Sequence, residues 1–350
     1  MTTIRAINSA IPVGRLSNDE LIDRFGAKEM ASVAKMTGII TRRVAAEGQC
    51  ASDLAVAAAE RLIACHGIDR SSIDALIFTT QTPDYRSPAT ACALHGRLKL
   101  SERCAAFDIN QACSGFIYAL SVAHGLCSAG IARRLLLLNG DTLTKLLHPQ
   151  DRGMVALTGD AAAATLIEAS PQAGYGIENV RICTDGSQFD RLIVPAGGCR
   201  MPIGSVVAGD AGPPPECMRM DGPAVFHFSV YRVSDFIKAT MAEWNLTMDD
   251  VDLVLLHQAN KTMLDLIYKA TKVPAEKQFI NITELGNTAG ASLPVLLSQA
   301  WREGRIRPGS RTLLCGFGAG LSWGMISLRW PEGLDPATPG DIEAPWPPPT

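Results

Sequence analysis

A cysteine placed just before an apolar helix is the most informative feature of the sequence. Cys113 follows a short apolar strand and stands at the start of a helix predicted over 116–126. A helix N-terminus carries unsatisfied N–H groups and a partial positive charge, which favour a thiolate over a thiol. We therefore expect a nucleophile near neutral pH; the alternative is the small buried apolar side chain that most intracellular cysteines provide.

Two polar residues in the second half of the chain stand where α/β proteins collect functional side chains. His257 follows the apolar stretch Leu253–Leu256, and sites form at the ends of parallel strands. Asn287 lies in a tight loop of small residues that opens a helix. Each has a structural alternative: a histidine bonded to a main-chain carbonyl, and an asparagine that caps a turn. Together with a cysteine nucleophile, they indicate an active site.

These three side chains suit one kind of chemistry. A thiolate accepts an acyl group from a thioester, which gives a covalent acyl-enzyme. A neutral histidine and an asparagine amide both offer N–H donors for the carbonyl oxygen of a second thioester. If that second substrate is a malonyl thioester, loss of carbon dioxide moves charge onto this oxygen, and two fixed donors stabilise the enolate. A carboxylate base is not required, because decarboxylation supplies the carbanion.

A glycine-rich loop over 316–324, with the sequence GFGAGLSWG, adds main-chain donors. Glycines let the backbone approach a ligand closely and direct N–H groups at it. A nucleotide-binding loop is the alternative interpretation, but neither a GxGxxG nor a Walker pattern is present. We expect this loop to complete an oxyanion hole with the main-chain N–H of Cys113.

The elements that position these residues alternate between short apolar strands and longer helices. Strands are predicted at 75–80, 105–109, 135–139, 161–167, 253–256, 312–316 and 323–330. Further helices are predicted at 51–65, 225–244, 261–271 and 289–303. Such alternation is typical of a mostly parallel sheet that helices cover on both faces.

The chain divides into two halves and a tail. Residues 1–170 carry the cysteine, and residues 171–330 carry the histidine and the asparagine. A weak repeat, NQAC at 110–113 and HQAN at 257–260, fits two related halves. The tail, 331–350, is rich in proline, so we expect it to be extended or disordered unless a neighbour holds it.

Composition excludes several classes of function. The 350 residues are 47% hydrophobic and 19% charged with a net charge of −3, so bulk electrostatics do not favour nucleic acid. Ten cysteines form no CxxC pair, which argues against a metal ribbon or a redox dithiol. Scattered cysteines and the absence of a secretory signal predict a cytoplasmic protein. The longest run without charged residues contains too many polar side chains for a membrane span.

With these motifs the chain resembles the β-ketoacyl-acyl-carrier-protein synthase III enzymes of the thiolase superfamily. The resemblance covers roughly residues 4–330 and rests on DINQACSGF around Cys113, LLHQAN at His257, GNTAGASLP at Asn287 and GFGAGLSWG. It implies a five-layered αβαβα fold built from two related halves, and a homodimer that works with acyl carrier protein. It also implies Claisen condensation of an acyl starter with malonyl-acyl-carrier protein, in fatty-acid or related secondary metabolism, without a cofactor.

The resemblance also implies roles for particular residues. Cys113 is the nucleophile, His257 and Asn287 assist decarboxylation, and the main chain of Ala319 completes the oxyanion hole. The further substrate-binding positions that it implies are Arg152 at the tunnel mouth, Gly222 and Asn260 in the pantetheine tunnel, and Phe317, Leu143, Ser87 and Thr158.

Several positions depart from the family pattern. Ser32 and Met36 replace the tryptophan and the arginine that sandwich adenine in members primed from coenzyme A, and Thr262 replaces a basic residue. We therefore expect a donor bound to a carrier protein, or an unusual acyl donor. Ser87 and Thr158 replace two aromatic residues of the acyl pocket, which predicts room for a longer, branched or more polar acyl group. The alternative is that neighbouring side chains refill the space.

Other functions on the same scaffold remain open at this point. An acyltransferase would pass the acyl group from Cys113 to an amine or a hydroxyl and would tolerate the loss of Asn287. A thiolase-type enzyme would need a second acid or base, for which Cys315 is the nearest candidate. An inactive partner of a heterodimer would typically have lost the nucleophile. The starter chain, the nature of its carrier and the pathway are not determined by the sequence.

Overall fold

The computed structural model of the chain describes residues 1–170, 172–205, 212–334 and 340–348. These residues form fourteen strands and eleven α-helices. The strands are β1 (Thr2–Pro12), β2 (Arg15–Ser17), β3 (Thr41–Arg43), β4 (Ala75–Thr79), β5 (Ala105–Ile109), β6 (Arg134–Asp141), β7 (Ala161–Ala169), β8 (Gly176–Thr184), β9 (Leu192–Ile193), β10 (Arg219–Met220), β11 (Leu253–Leu256), β12 (Arg311–Gly318), β13 (Ser322–Arg329) and β14 (Ile342–Ala344). The helices are α1 (Asn18–Phe25), α2 (Ala27–Thr37), α3 (Ala51–His66), α4 (Thr90–Arg97), α5 (Gly115–Ser128), α6 (Arg152–Leu157), α7 (Gly222–His227), α8 (Val233–Glu243), α9 (Lys261–Thr271), α10 (Ile282–Leu285) and α11 (Ser292–Arg302).

Ten of the strands form two mixed sheets. The strand order is β14-β1-β7-β6-β4-β5 in the first sheet and β11-β12-β13-β8 in the second. β4 runs parallel to β5 and β6, whereas β7 and β13 run antiparallel to both of their neighbours. Among the described strands, only β7 in the first sheet and β13 in the second run against the others, so the expected mostly parallel sheet is confirmed apart from these two strands. The link from β12 to β13, residues 319–321, is too short for the crossover that a parallel pair requires.

Successive side chains of each central strand face two different apolar cores, and this alternation defines the layers. Leu135 of β6 faces a core between the two sheets, and Leu136 faces an outer core under α3 and α4. On β11, Leu255 faces the same central core and Leu256 faces a third core under α8 and α9. Because α5 and α11 fill the central core, the layers are helix, sheet, helix, sheet, helix. The five-layered αβαβα fold is confirmed.

The described part of the tail is held against the first sheet. β14 pairs in parallel with the end of β1. Asp341 forms an ion pair with Arg302 at 2.6 Å, and Glu343 forms one with the buried Arg43 at 2.9 Å. This part of the tail is extended with a neighbour to hold it, whereas residues 335–339 and 349–350 lie outside the described residues.

Most elements predicted from the sequence are present with bounds close to those expected. The helix expected at 225–244 is α7 and α8, joined by a π-helical turn over Phe228–Arg232. β1 and β8 were not predicted, because both carry many polar side chains in an irregular pattern. The division into halves at 170 and 171 stays a prediction. Within the described residues, no helix is both long and apolar enough to cross a membrane.

Candidate active site

Cys113 lies in the turn Ala112–Ser114, between β5 and α5. Ala112 has a φ of +43°, a left-handed conformation that residues with a side chain rarely adopt, so the chain turns sharply before the cysteine. Gly318 of β12 passes alongside it. A Cβ atom at Gly318 would lie 2.7 Å from the Cβ of Cys113 and 3.0 Å from its Sγ. The absence of a side chain at this position is what admits the cysteine.

The thiol of Cys113 is more buried than the sequence suggested. Its relative exposure is 7%. Burial, followed by the negative charge of Asp141, raises the pKa of the Cys113 thiol to about 12, although its own main-chain N–H acts in the opposite direction. Loss of hydration disfavours the charged form, so burial opposes the thiolate that the helix N-terminus favours.

Asp141 is a buried carboxylate that sequence reasoning missed. It accepts hydrogen bonds from the main-chain N–H groups of Gln81 (2.8 Å) and Gly290 (3.0 Å). The hydroxyls of Thr80 and Thr82 donate to it at 3.2 Å. Asp141 thus ties the segment after β4 to the turn that leads into α11. The available signal was a lone acidic residue at the end of a strand that contains four consecutive leucines.

Asn287 is held by its main chain and by its side chain. Its N–H donates to the carbonyl of Leu157, and its carbonyl accepts from the N–H of Gly159, both at 2.9 Å. Its Oδ1 accepts from the N–H of Ala289 at 2.9 Å. This bond orients the amide, so the Nδ2 group is the end available to donate to a ligand. Asn287 and Cys113 line the same cavity, which has a volume of about 40 Å³.

His257 follows β11 and is almost fully buried. Its main-chain N–H donates to the carbonyl of Cys315, and its Nδ1 lies 2.5 Å from the Oγ of Ser292. The imidazole meets the ring of Phe317 edge to face, with 5.4 Å between centroids. Phe317 directly precedes Gly318, so the strand beside Cys113 also contacts His257. Burial lowers the pKa of His257 to about 3, and the ring is neutral at neutral pH.

The turn between β12 and β13 carries Ala319 and is tied to the cysteine turn. The hydroxyl of Ser322 donates to the carbonyl of Ala319 at 2.6 Å. The same hydroxyl lies 2.7 Å from the Oγ of Ser114, the residue after Cys113. Ala319 and Ala112 line a neighbouring cavity of about 440 Å³. The glycine-rich loop therefore lies next to the nucleophile turn, as the sequence analysis expects.

The 40 Å³ cavity is lined by two of the expected pocket residues, Leu143 and Thr158. Its other lining residues, which sequence reasoning missed, are Gln81, Met154, Leu157, Leu192, Met218, Met220 and Ala289. These come from five separate segments, and no local pattern links them. Ser87 lies in an exposed loop and is not among the described residues that line this cavity, so its role in the acyl pocket stays a prediction.

Known proteins are similar to this chain in both sequence and fold. Family models described as 3-oxoacyl-[acyl-carrier-protein (ACP)] synthase III and its C-terminal region match residues 107–186 and 241–330. A relative from Streptomyces coelicolor, β-ketoacyl-[acyl-carrier-protein] synthase III 3, is 36% identical over 96% of this chain and 98% of its own. The chain belongs to the 3-oxoacyl-ACP synthase III family. It is a condensing acyltransferase.

Solved structures agree with this assignment. A 3-oxoacyl-(acyl-carrier protein) synthase from Burkholderia xenovorans superposes on the present chain with a TM-score of 0.91, at 36% identity. The match covers 98% of this chain and 96% of the other. A synthase III from Pseudomonas aeruginosa matches with a TM-score of 0.84 at 34% identity, over 95% and 98% of the two chains.

The residues expected along the substrate tunnel of this synthase lie at the starts of three helices. Arg152 is exposed at the first position of α6, and Gly222 begins α7. Asn260 caps α9, with its Oδ1 accepting from the N–H of Met263 at 2.9 Å. This capping bond is a structural role that exists without a ligand. Substrate contacts of all three stay predictions.

The three positions that depart from the family pattern for coenzyme A binding lie close together. Ser32 and Met36 are exposed on α2, one helical turn apart. The hydroxyl of Thr262 on α9 donates to the main-chain carbonyl of Met36 at 2.7 Å, which joins the two helices. The surface here therefore presents neither a stacking ring nor a positive charge at these three positions.

Cys315 does not serve as a second acid or base in this site. It is fully buried in the core under α8 and α9, together with Leu313 and Phe317. Gly316 and Gly318, on the opposite face of β12, are the positions that contact the cysteine turn. Burial raises the pKa of the Cys315 thiol strongly. The thiolase-type hypothesis thus loses the group it requires.

Proposed function

We propose that the synthase loads an acyl starter on Cys113 and condenses it with malonyl-acyl-carrier protein. The observation that carries this proposal is the shared cavity of Cys113 and Asn287, in which a bond from Ala289 orients the amide toward donation. In the loading step the Sγ of Cys113 attacks the thioester carbon. The bond from that carbon to the donor sulfur breaks, and the proton of Cys113 leaves with the donor thiol.

The second step uses the two N–H donors. The malonyl group loses carbon dioxide, and the electron pair of the broken bond forms an enolate whose oxygen His257 and Asn287 stabilise. A hydroxyl of Ser292 that donates to Nδ1 leaves the ring proton on Nε2, which makes Nε2 the donor. The enolate carbon attacks the acyl carbon, the Cys113 sulfur leaves, and it regains one proton from solvent. The products are a 3-oxoacyl thioester and carbon dioxide.

The main chain supplies an oxyanion hole for the acyl carbonyl. The N–H groups of Cys113 and Ala319 would meet the negative oxygen of the tetrahedral intermediate. Bonds of Ser322 to Ser114 and to Ala319 hold the two turns together, so the donors need little reorganisation during the reaction. A pair of fixed main-chain donors explains why this loop is rich in glycine.

Substrate delivery involves an acidic carrier protein. We assign Arg152, Gly222 and Asn260 to the passage that admits the pantetheine arm, as the resemblance implies. The exposed Ser32 and Met36 favour a starter bound to a carrier protein over one bound to coenzyme A. We also propose a homodimer that works in the cytoplasm, where all ten cysteines stay free thiols as they are in the structure.

Intact-mass spectrometry tests this function directly. The protein is mixed with a panel of acyl thioesters of coenzyme A and of acyl carrier protein, and malonyl-acyl-carrier protein is then added. We expect an acyl adduct that Cys113→Ala abolishes and that malonyl-acyl-carrier protein discharges as a ketoacyl product two carbons longer. Cys315→Ala is the matched control, because it removes a buried thiol from the opposite face of β12.

Three results would contradict the proposal. An adduct that resists malonyl-acyl-carrier protein but discharges to an amine or an alcohol would indicate the acyltransferase alternative. An absence of adduct with every donor would leave the inactive-partner alternative. Release of carbon dioxide without carbon–carbon bond formation would show that decarboxylation proceeds without condensation, and it would identify acyl loading as the step that fails.

A further inference from the structure

The cavity beside Cys113 is too small for most acyl chains. Its volume of about 40 Å³ holds only a few water molecules, since a cavity needs about 10–15 Å³ on this measure for each one. The side chains of Leu143, Met154 and Leu157 belong to its lining. A starter with more than a few carbons must therefore leave this cavity past one of its walls.

A second cavity lies next to the cysteine cavity. Its volume is about 360 Å³, within the ~300–1,000 Å³ typical of ligand pockets. Thr158 contributes to the linings of both cavities. The helix that precedes it, α6, also faces both, with Met154 and Leu157 on the first cavity and Val155 on the second. Thr158 thus lies between the two cavities, and its side chain is short.

Apolar contacts continue from the cysteine to the second cavity. Leu147 packs against the cluster that contains Cys113 and Met154. It also packs against the cluster that contains Val155, alongside Leu16. Apolar side chains therefore lie between the two cavities, and burial of an alkyl chain among such side chains is favourable.

The walls of the second cavity suit an uncharged chain. Its apolar residues are Leu16, Val44, Ala45, Leu147, Pro149 and Val155. Its charged residues, Arg24, Lys145 and Glu47, are all exposed, and they carry both signs. Arg24 and Lys145 donate to main-chain carbonyls, at 3.3 and 2.9 Å. The rim therefore offers no concentrated positive charge to an anionic group.

The 440 Å³ cavity is the competing route, because it meets the cysteine cavity at Gln81, Leu192 and Met218. Its lining includes the side chains of Asn110, Gln111 and Thr184. Placing an alkyl chain against these polar groups would remove their hydration without a replacement hydrogen bond. The second cavity is the better match for an aliphatic substrate.

We propose that the synthase holds the distal part of a straight aliphatic starter in the second cavity, with the chain passing Thr158 on its way from Cys113. The substrate class is then acyl thioesters of medium or greater length. The inference rests on the proposed function, in which Cys113 carries the acyl group, and adds the location and the length of that group.

The test compares loading rates of decanoyl and acetyl thioesters on Cys113 by intact-mass spectrometry. Wild-type protein should load the decanoyl group at least as fast as the acetyl group. Thr158→Phe, which blocks the partition, and Leu16→Trp, which adds bulk to the lining of the second cavity, should each lower the decanoyl-to-acetyl ratio by about tenfold or more. Ile193→Trp, which fills the 440 Å³ cavity, is the matched control and should leave this ratio unaltered.

The outcomes separate this inference from the proposed function. Wild-type protein that loads acetyl but not decanoyl groups would overturn the inference and leave the function standing. A ratio that falls in Ile193→Trp and not in Leu16→Trp would place the chain in the 440 Å³ cavity and would also overturn it. If Thr158→Phe fails to fold, Leu16→Trp decides alone. If no acyl group of any length loads, the proposed function itself fails.

Discussion

Replacing Gly318 by alanine would place a methyl group against the candidate nucleophile. The new Cβ would lie 2.7 Å from the Cβ of Cys113, whereas ordinary contact between such atoms begins at 3.4 Å. Since Gly318 does not have a left-handed φ, the substitution tests close packing and not backbone strain. Either Cys113 or β12 must move by about 0.7 Å, the difference between these two distances.

A displacement of this size has a predictable cost. Misplacing a reacting group by about 1 Å lowers rates by about a hundredfold, so we expect acyl loading of Gly318→Ala to fall by tenfold to about a hundredfold. Overpacking a well-filled interior costs about 1–3 kcal/mol of stability. Gly125→Ala is the matched control. It changes α5, the helix after Cys113, at an exposed position with open space, where alanine favours the helix by up to about 1 kcal/mol.

The assay follows the rate at which the acyl adduct forms on Cys113. A parallel urea titration measures the stability of each variant. Loading by Gly125→Ala should match wild-type protein, and its unfolding midpoint should not fall. Gly318→Ala should acquire the acyl group slowly, under conditions in which a urea titration shows that the variant is fully folded. Loading of Gly318→Ala at the wild-type rate would refute the placement of Cys113 as nucleophile beside this glycine.

Three further results follow from the structure. Ending the chain after Leu334 removes the partner of Arg302, a mostly buried charge, and should lower the free energy of unfolding by about 3 kcal/mol or more in urea titrations. Because the pKa of the Cys113 thiol is raised to about 12, its alkylation by iodoacetamide should climb about tenfold per pH unit between about pH 7 and pH 10, measured by peptide mass spectrometry. Ser292→Ala should slow release of carbon dioxide by about tenfold, because His257 loses the bond that orients it.

Each of these has a result that would contradict it. A truncated chain with wild-type stability would mean that β14 and its ion pairs contribute nothing measurable. Alkylation of Cys113 that levels off near neutral pH would show a thiolate in the free protein, as the helix N-terminus alone predicts. Carbon dioxide release that is unaffected by Ser292→Ala, or that falls no more than acyl loading does, would remove Ser292 as a positioning residue for His257.

The candidate chemical groups were accessible from the sequence because their types and immediate surroundings are local. Cys113 before an apolar helix, His257 after an apolar strand and Asn287 in a loop of small residues are patterns of consecutive residues. Asp141, which lies behind the cysteine turn, left a weaker signal of the same kind. Ser292 stands in the same small-residue loop as Asn287, but its pairing with His257, 35 residues away, has no local pattern.

The sequence by itself determined the alternation of strands and helices, the membership in this family and the identity of the reactive side chains, because periodicity and short motifs encode them. Only the tertiary structure decided three other properties. The mixed direction of the sheets depends on how distant strands pair. The raised pKa of Cys113 depends on burial by β12 and on Asp141, which lie far away in the chain. The two cavities that meet at Thr158 depend on the packing of α6 against its neighbours. A cavity is bounded by side chains from several elements, so the sequence of any one element does not specify it.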